Sequence, residues 1–246
     1  VTSPRLDVLV FYPDLMDVAA DTANAAVLRV RAGWEGVDVR VDSVTFDEPL
    51  PRSRPDILLL GSGADEDLMI VSAHLARLGD GLRDWVGTGT TLLAVGSGLD
   101  LLTEGWERAR GDVVPGAGVF SGTAPLLRER ASGELVVHSP SAPRCGEPLV
   151  GYENHSRGYL LGTGERALGT VRRGIGNGDA ARGEGVEHGS AIGTHLHGPI
   201  AARNPGFADA VLARAMASRH GTGFEAVSPR ARRADELAGL ARSMTR

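Results

Sequence analysis

The run Thr90-Thr91-Leu92-Leu93-Ala94-Val95-Gly96-Ser97-Gly98-Leu99-Asp100 is where this chain could carry a reactive group. Apolar, β-prone residues lead into Gly-Ser-Gly, and Leu99 and Leu102 then recur at helical spacing, so the pattern predicts strand, tight turn and helix. In α/β enzymes such a turn lifts one side chain above the sheet edge, at the positive end of the following helix. A cysteine there would gain a lowered pKa and backbone N–H donors for an oxyanion. This chain places Gly96 at the tip, where no side chain exists to react. Ser97 is read either as a substitute nucleophile or as a helix-start residue supplying a cap or a backbone donor. The second chemistry-bearing stretch is Gly193-Thr194-His195-Leu196-His197-Gly198-Pro199, a short strand ending in a histidine-bearing turn. His195 is expected to point away from His197 in a structural role. His155 is expected to cap the Glu153-Asn154 turn, and Cys145 to be a passive thiol.

Elements must exist to position those groups, and the first hundred residues supply them by alternation. Residues 6–12, 37–41, 55–60 and 90–95 read as strands, and 25–32, 67–78 and 82–86 as helices, with Asp21 or Asn24 available as a cap. Strands alternating with helices imply an α/β fold with a parallel, doubly wound sheet. The strands near Val8, Val39, Leu58 and Leu93 are expected to bring Gly61, Gly96 and His197 together at one edge. The second half is richer in glycine. Residues 135–137 and 149–152 read as an antiparallel pair joined by a loop over 139–148, and 154–158 as a polar turn. Residues 172–187, with five glycines, read as a mobile loop, and 205–217 as a helix capped by Asn204. The charged tail, 228–246, shows one narrow apolar stripe. No internal repeat or long linker divides the 246 residues, so one domain spanning 1–246 is expected.

Composition excludes several classes. A net charge of −5 gives no global attraction to nucleic acid or to an anionic membrane. No apolar run approaches the roughly 20 residues that span a bilayer, and a cytoplasmic protein is the expectation. All 26 basic residues are arginine, which excludes a Walker A lysine or a Schiff base. A single cysteine excludes a disulfide and a multi-cysteine metal site, and nothing calls for a cofactor.

The segments Tyr12-Pro13-Asp14-Leu15-Met16, Asp21-Thr22-Ala23-Asn24, Gly61-Ser62-Gly63-Ala64-Asp65, Gly151-Tyr152-Glu153-Asn154-His155 and Gly193 to Pro199 together resemble a known family. It is the type 1 glutamine amidotransferases of the cobyric-acid-synthase-like class, and within it the GatD-type glutaminase subunits of lipid II isoglutaminyl synthases. The resemblance implies a class I amidotransferase (flavodoxin-like) fold with a mostly parallel central sheet and added antiparallel strands. It implies glutamine hydrolysis on this subunit, with ammonia passed to a Mur-ligase-like, ATP-dependent partner. The family's base histidine falls on His197, Arg130 matches an arginine that binds the substrate carboxylate, and backbone N–H groups around Gly63 and Ser97 would form the oxyanion hole. The family's nucleophile turn reads roughly Cys-Gly-Gly-Tyr-Gln, and here the same positions read Gly96-Ser97-Gly98-Leu99-Asp100. The cysteine falls on Gly96, with changes at Ser97, Leu99 and Asp100 beside it.

The resemblance therefore implies a degenerate subunit without glutaminase activity that supports its ligase. Two other readings stand beside it: a working enzyme using Ser97 or Asp100 with His197, and a protein that binds an amino-acid-like small ligand in the old pocket. Arg130, flanked by Arg128 and Glu129, reads equally as a solvated surface arginine. Asp100 is expected to set a carboxylate beside any thiol restored at 96 and oppose its ionisation. The tail over 230–246 and the stretch 172–187 are expected to be underpacked and free to dock a partner.

Overall fold

The computed structural model describes residues 3–46, 48–140 and 147–243, and the expectation for Cys145 lies outside them. The elements in chain order are β1 (Arg5–Phe11), α1 (Ala23–Trp34), β2 (Asp38–Val44), β3 (Ile57–Leu60), α2 (Asp65–Gly87), β4 (Thr91–Val95) and α3 (Ser97–Leu101). There follow β5 (Gly105–Glu107), β6 (Val113–Pro115), β7 (Thr123–Ala124), β8 (Leu126–His138), β9 (Leu149–Arg157), β10 (Gly169–Arg173), β11 (Gly183–Glu184), β12 (Val186–His188) and β13 (Ala191–Thr194). The described chain closes with α4 (Ile200–Arg203), α5 (Pro205–His220) and α6 (Pro229–Ser243).

The central sheet runs β12-β13-β4-β3-β1-β2. From β13 to β2 every pairing is parallel, and β12 joins its edge antiparallel. β3 and β4 are buried along their whole length, which is why both read as unbroken apolar runs rather than alternating ones. Alternate residues feed two cores. Val8, Val10, Leu59 and Leu93 pack on one face with Leu28 of α1 and Val211 and Leu212 of α5. Leu9, Phe11, Leu58 and Leu92 pack on the other with α2. α2 presents Leu68, Val71, Leu75 and Leu82, a stripe at helical spacing, to that second core.

A second sheet, β11-β10-β8-β9, carries the antiparallel pair read from the sequence, with β8 and β9 both longer than expected. Residues 154–157 are the end of β9 and not a turn: their polar side chains alternate between the sheet's two faces. The two helices read over 67–78 and 82–86 are one helix, α2. Gly79, just past the end read for the first of them, is a packing position, since a Cβ there would stand 2.9 Å from the Ala117 carbonyl oxygen. The stretch 172–187 is not a loop but β10, β11, the start of β12 and two ordered connections. Gly176 shows why glycine is required there: its φ is +60°, and a Cβ would stand 2.6 Å from the Gly183 carbonyl.

The tail buries little, with Ala231 its one buried residue among those described and Leu237 and Leu240 exposed, but polar ties hold it. α6 is held through Asp235 to the buried Arg31 of α1, whose guanidinium also pairs with Asp209 of α5 at 2.5 Å. Arg242 of α6 reaches Glu147 and the Arg203 carbonyl. The expected helix caps are employed elsewhere. Asn204 bonds both backbone groups of Val150, tying α5 to β9, and Asn24 accepts the Ala201 N–H.

Candidate functional site

Four strand ends converge at the carboxyl edge of the parallel sheet, where open α/β folds place ligands. β3 runs into Gly61-Ser62-Gly63, β4 into Gly96-Ser97, and β13 into the turn bearing His195 and His197, while β1 leads to the segment ending at Asp21. Gly96 has φ 55° and ψ −124°, a conformation that costs a residue with a Cβ on the order of 1–3 kcal/mol. Glycine takes it without strain. α3 begins at Ser97 and is only five residues long.

His197 stands against Gly96. A Cβ built on Gly96 would lie 2.9 Å from His197 Nε2 and inside any permitted contact with His197 Cε1 and Ser62 Oγ. The other ring nitrogen, Nδ1, faces the Asp21 carboxylate at 3.3 Å. With that N–H directed to Asp21, Nε2 carries the free lone pair, the tautomer a general base requires. The turn is fixed from behind by the second sheet: His197 N–H donates to the Tyr152 carbonyl at 2.8 Å, and Tyr152 N–H returns a longer bond to the His197 carbonyl.

Ser62 is held in the same corner. Its hydroxyl lies 2.8 Å from Asp21 Oδ2 and 3.0 Å from the Val95 carbonyl, and its backbone N–H also donates to Asp21. Ser62 contacts His197 on the Nδ1 side, away from the nitrogen that could take a proton during attack. Ser97 Oγ accepts the Gly63 N–H at 2.9 Å and lies 3.4 Å from the Gly63 carbonyl. Among the described residues no hydrogen bond joins Ser97 to His197.

The cavity beside this corner is about 360 Å³. Arg130 lines it from the part of β8 where the β8–β9 register shifts, between Leu126 and Ala131. Its guanidinium donates to Asn154 Oδ1 at 2.8 Å, Ser156 Oγ at 2.9 Å and the Asn154 carbonyl at 3.4 Å. All three acceptors are neutral, so its charge has no carboxylate partner there.

Asp100 corrects the sequence reading. Its carboxylate does not confront the corner as a free charge but accepts Arg157 Nε at 2.7 Å, and both side chains are buried. Burial pushes the Asp100 carboxyl up, and the Arg157 charge and hydrogen bond pull against it. Arg157 also donates to Asp65 at 3.0 Å and lies over the Trp106 ring at 5.3 Å, a cation–π contact. Its position at the end of β9 was hidden by the turn assigned to 154–158.

Behind the cavity lies a buried polar cluster. His155 does not cap a turn: Nδ1 meets the Arg157 carbonyl at 2.6 Å, and Nε2 meets Glu153 at 3.3 Å. Glu153 accepts the N–H groups of Ile175 and Gly176, and these donors with His155 hold it low against burial. His195 is fully buried, stacked on His155 with ring centroids 4.0 Å apart, and burial drives it well below the ordinary histidine range. Glu184 accepts the His195 N–H and the Thr194 hydroxyl, yet burial raises it to about 7.

The structure thus brings Gly63, Ser97, Arg130 and His197 to one cavity, with Gly96 against His197 in the adjoining corner. Sequence reasoning missed Ser62, Asp21 and Arg157 as members of the site. Asp21 was visible only as a helix cap, and Ser62 only as the middle of a glycine turn. Among the described residues no group of three or more His, Cys, Asp or Glu side chains is arranged to hold a metal ion. No described helix is long and apolar enough to cross a membrane.

Comparison with known proteins agrees with this geometry. The chain is 28% identical to the GatD subunit of the glutamine-hydrolysing lipid II isoglutaminyl synthase of Streptococcus pneumoniae, over 88% of this chain and 83% of that protein. It is also 28% identical to the corresponding subunit of Staphylococcus aureus, over 90% of this chain and 88% of that one. Among solved structures, PurLQS from Thermotoga maritima superposes with a TM-score of 0.58 at 17% identity, covering 85% of this chain and 98% of that one. A glutamine amidotransferase from the same organism gives 0.55 at 14% identity, covering 98% and 96%. These show a mixed α/β fold like that of class I glutamine amidotransferases. Residues 7–205 match the CobB/CobQ-like glutamine amidotransferase domain, and the chain belongs to that family.

Proposed function

We propose that this chain is a GatD-like subunit that does not hydrolyse glutamine and instead supports an ATP-dependent, Mur-ligase-like partner in amide-bond formation. The observation that carries the proposal is Gly96: an Asp21–His197 pair is arranged to activate a nucleophile, and the position it faces has no side chain. A thioester cannot form there, and where catalytic residues act as a unit, losing the nucleophile lowers turnover by roughly a million-fold. Ser97 is a poor replacement because its hydroxyl is engaged with Gly63, and Asp100 is committed to Arg157. The partner would activate a carboxylate with ATP and take free ammonia or another amine, with this chain ordering the partner's active site.

Arg130 favours a second reading. A guanidinium at a cavity rim with only neutral acceptors suits a small carboxylate, such as an amino-acid-like ligand held without turnover. Co-expression with a genomically adjacent Mur-ligase-like protein separates the two. The subunit reading expects a complex on size exclusion and at least tenfold faster ATP-dependent ligation with this chain present. A partner equally soluble and equally active alone, with no complex, leaves the binding-protein reading.

A further inference from the structure

The corner around position 96 is filled and not merely vacant. Two hydroxyls occupy the places that a working nucleophile and its oxyanion would need. Ser62 Oγ stands where a Cβ at 96 would project, and it is fixed there by Asp21 and the Val95 carbonyl. His197 closes the same space from the other side, with its ring against the glycine. Asp21 holds both neighbours, so neither moves aside without breaking a hydrogen bond in a buried site. One strand over, Ser97 Oγ takes the Gly63 N–H, one of the backbone donors beside the corner. A tetrahedral intermediate forming there would find that donor spent, and such donors are worth about 100- to 1,000-fold in rate.

We infer that Ser62, Gly96 and Ser97 form one interlocked closure of the site, so that restoring a thiol at 96 alone restores neither packing nor hydrolysis. This inference rests on the non-hydrolysing reading above and goes beyond it. Loss of the nucleophile is built into the packing through Ser62, and the same closure takes up an oxyanion donor through Ser97. Asp100 is outside the closure, because Arg157 already pairs with it. Changing Asp100 to a neutral residue would strip Arg157 of its buried partner and open nothing.

Stability and activity of a variant set test it. Gly96→Cys is expected to lower Tm by about 5–10 °C or more, from positive-φ strain and from overpacking against Ser62 and His197. In a Ser62→Gly background the same change should cost a smaller shift, since only the positive-φ strain and the His197 contact then remain. In glutaminase assays the sulfur at 96 would attack the amide carbon, the C–N bond would break, and His197 would pass the thiol proton to the leaving ammonia. Water would then release glutamate. Gly96→Cys alone should stay within about tenfold of background, and Gly96→Cys/Ser62→Gly/Ser97→Gly should exceed it by at least about 100-fold, the worth of one freed oxyanion donor. Equal Tm losses in both backgrounds, or a single variant as active as the triple, overturns the closure. A folded triple variant no faster than the single one overturns it as well. If Gly96→Cys does not fold, recovery of folding by Ser62→Gly supports the closure, and failure to recover overturns it. Glutaminase activity in the unaltered chain would instead reject the non-hydrolysing reading, and the Tm comparison still decides the closure by itself.

Discussion

Arg31→Ala is expected to destabilise the protein by about 3–5 kcal/mol, the cost typical of stranding buried charges. The Arg31 side chain is 3% exposed and satisfies Asp209 through two nitrogens, at 2.5 and 2.8 Å, and Asp235 through a third at 2.9 Å. Removing the guanidinium takes the shared cation away from two largely buried carboxylates, and it cuts a tie between α6 and the body. At about 2–4 °C per kcal/mol for a chain of this size, Tm should fall by roughly 10 °C or more. Limited trypsin digestion should also cut earlier within α6, which carries several arginines. A loss below about 1 kcal/mol, the level of an exposed ion pair, would show that the triad is solvated.

Glu184→Gln should change how stability depends on pH. The Glu184 carboxyl is raised from 4.5 to about 7 because burial outweighs its hydrogen bonds from His195 N–H and Thr194. A raised carboxyl binds its proton more tightly in the folded state, so its contribution is fully present below pH 4.5. That contribution declines as pH rises and is lost above about 7. At 1.36 kcal/mol per pKa unit the total is about 3 kcal/mol. Glutamine keeps the acceptor oxygen and removes the ionisation. The stability of Glu184→Gln relative to the unaltered protein should therefore improve by about 2–3 kcal/mol between pH 5 and pH 8. The same difference at both pH values would contradict the burial argument.

The parallel half of the fold was legible because its signals are local. Ile57 to Leu60 and Thr91 to Val95 are continuous apolar runs, and each ends in a glycine turn. The same signals placed Gly61, Gly96 and His197 at one edge. What failed was the reading of glycine and of polar clusters. Gly79 marked close approach to Ala117 rather than a helix end, and the glycines of 172–187 marked tight ordered turns rather than mobility. In both cases the cause lies in a backbone distant in sequence, which local pattern does not register. The polar run from Asn154 to Arg157 read as a turn because a strand inside a polar site loses its apolar alternation. The tail's exposed Leu237 and Leu240 agree with its underpacked reading, and only its tie to Arg31, about two hundred residues earlier, was invisible locally. Asp21 read as a candidate helix cap, and its partners Ser62 and His197 could come only from the fold.

The interlocking of the corner also bears on what keeps the scaffold intact. His197, Asp21 and Ser62 remain buried and mutually hydrogen-bonded although the position they surround has no nucleophile. A polar corner of this kind is costly unless every group is satisfied, and here each donor has an acceptor within the corner. Its retention is then explained by stability and by the cavity beside it, without requiring turnover.

The most direct measurement is ammonia release from L-glutamine by the purified chain, alone and with a co-expressed Mur-ligase-like protein, beside a glutamine-hydrolysing GatD subunit assayed under the same conditions. No release above the uncatalysed rate is expected, a deficit of roughly a million-fold against an enzyme with its nucleophile in place. Release of ammonia by the unaltered chain that is abolished by His197→Ala would contradict it.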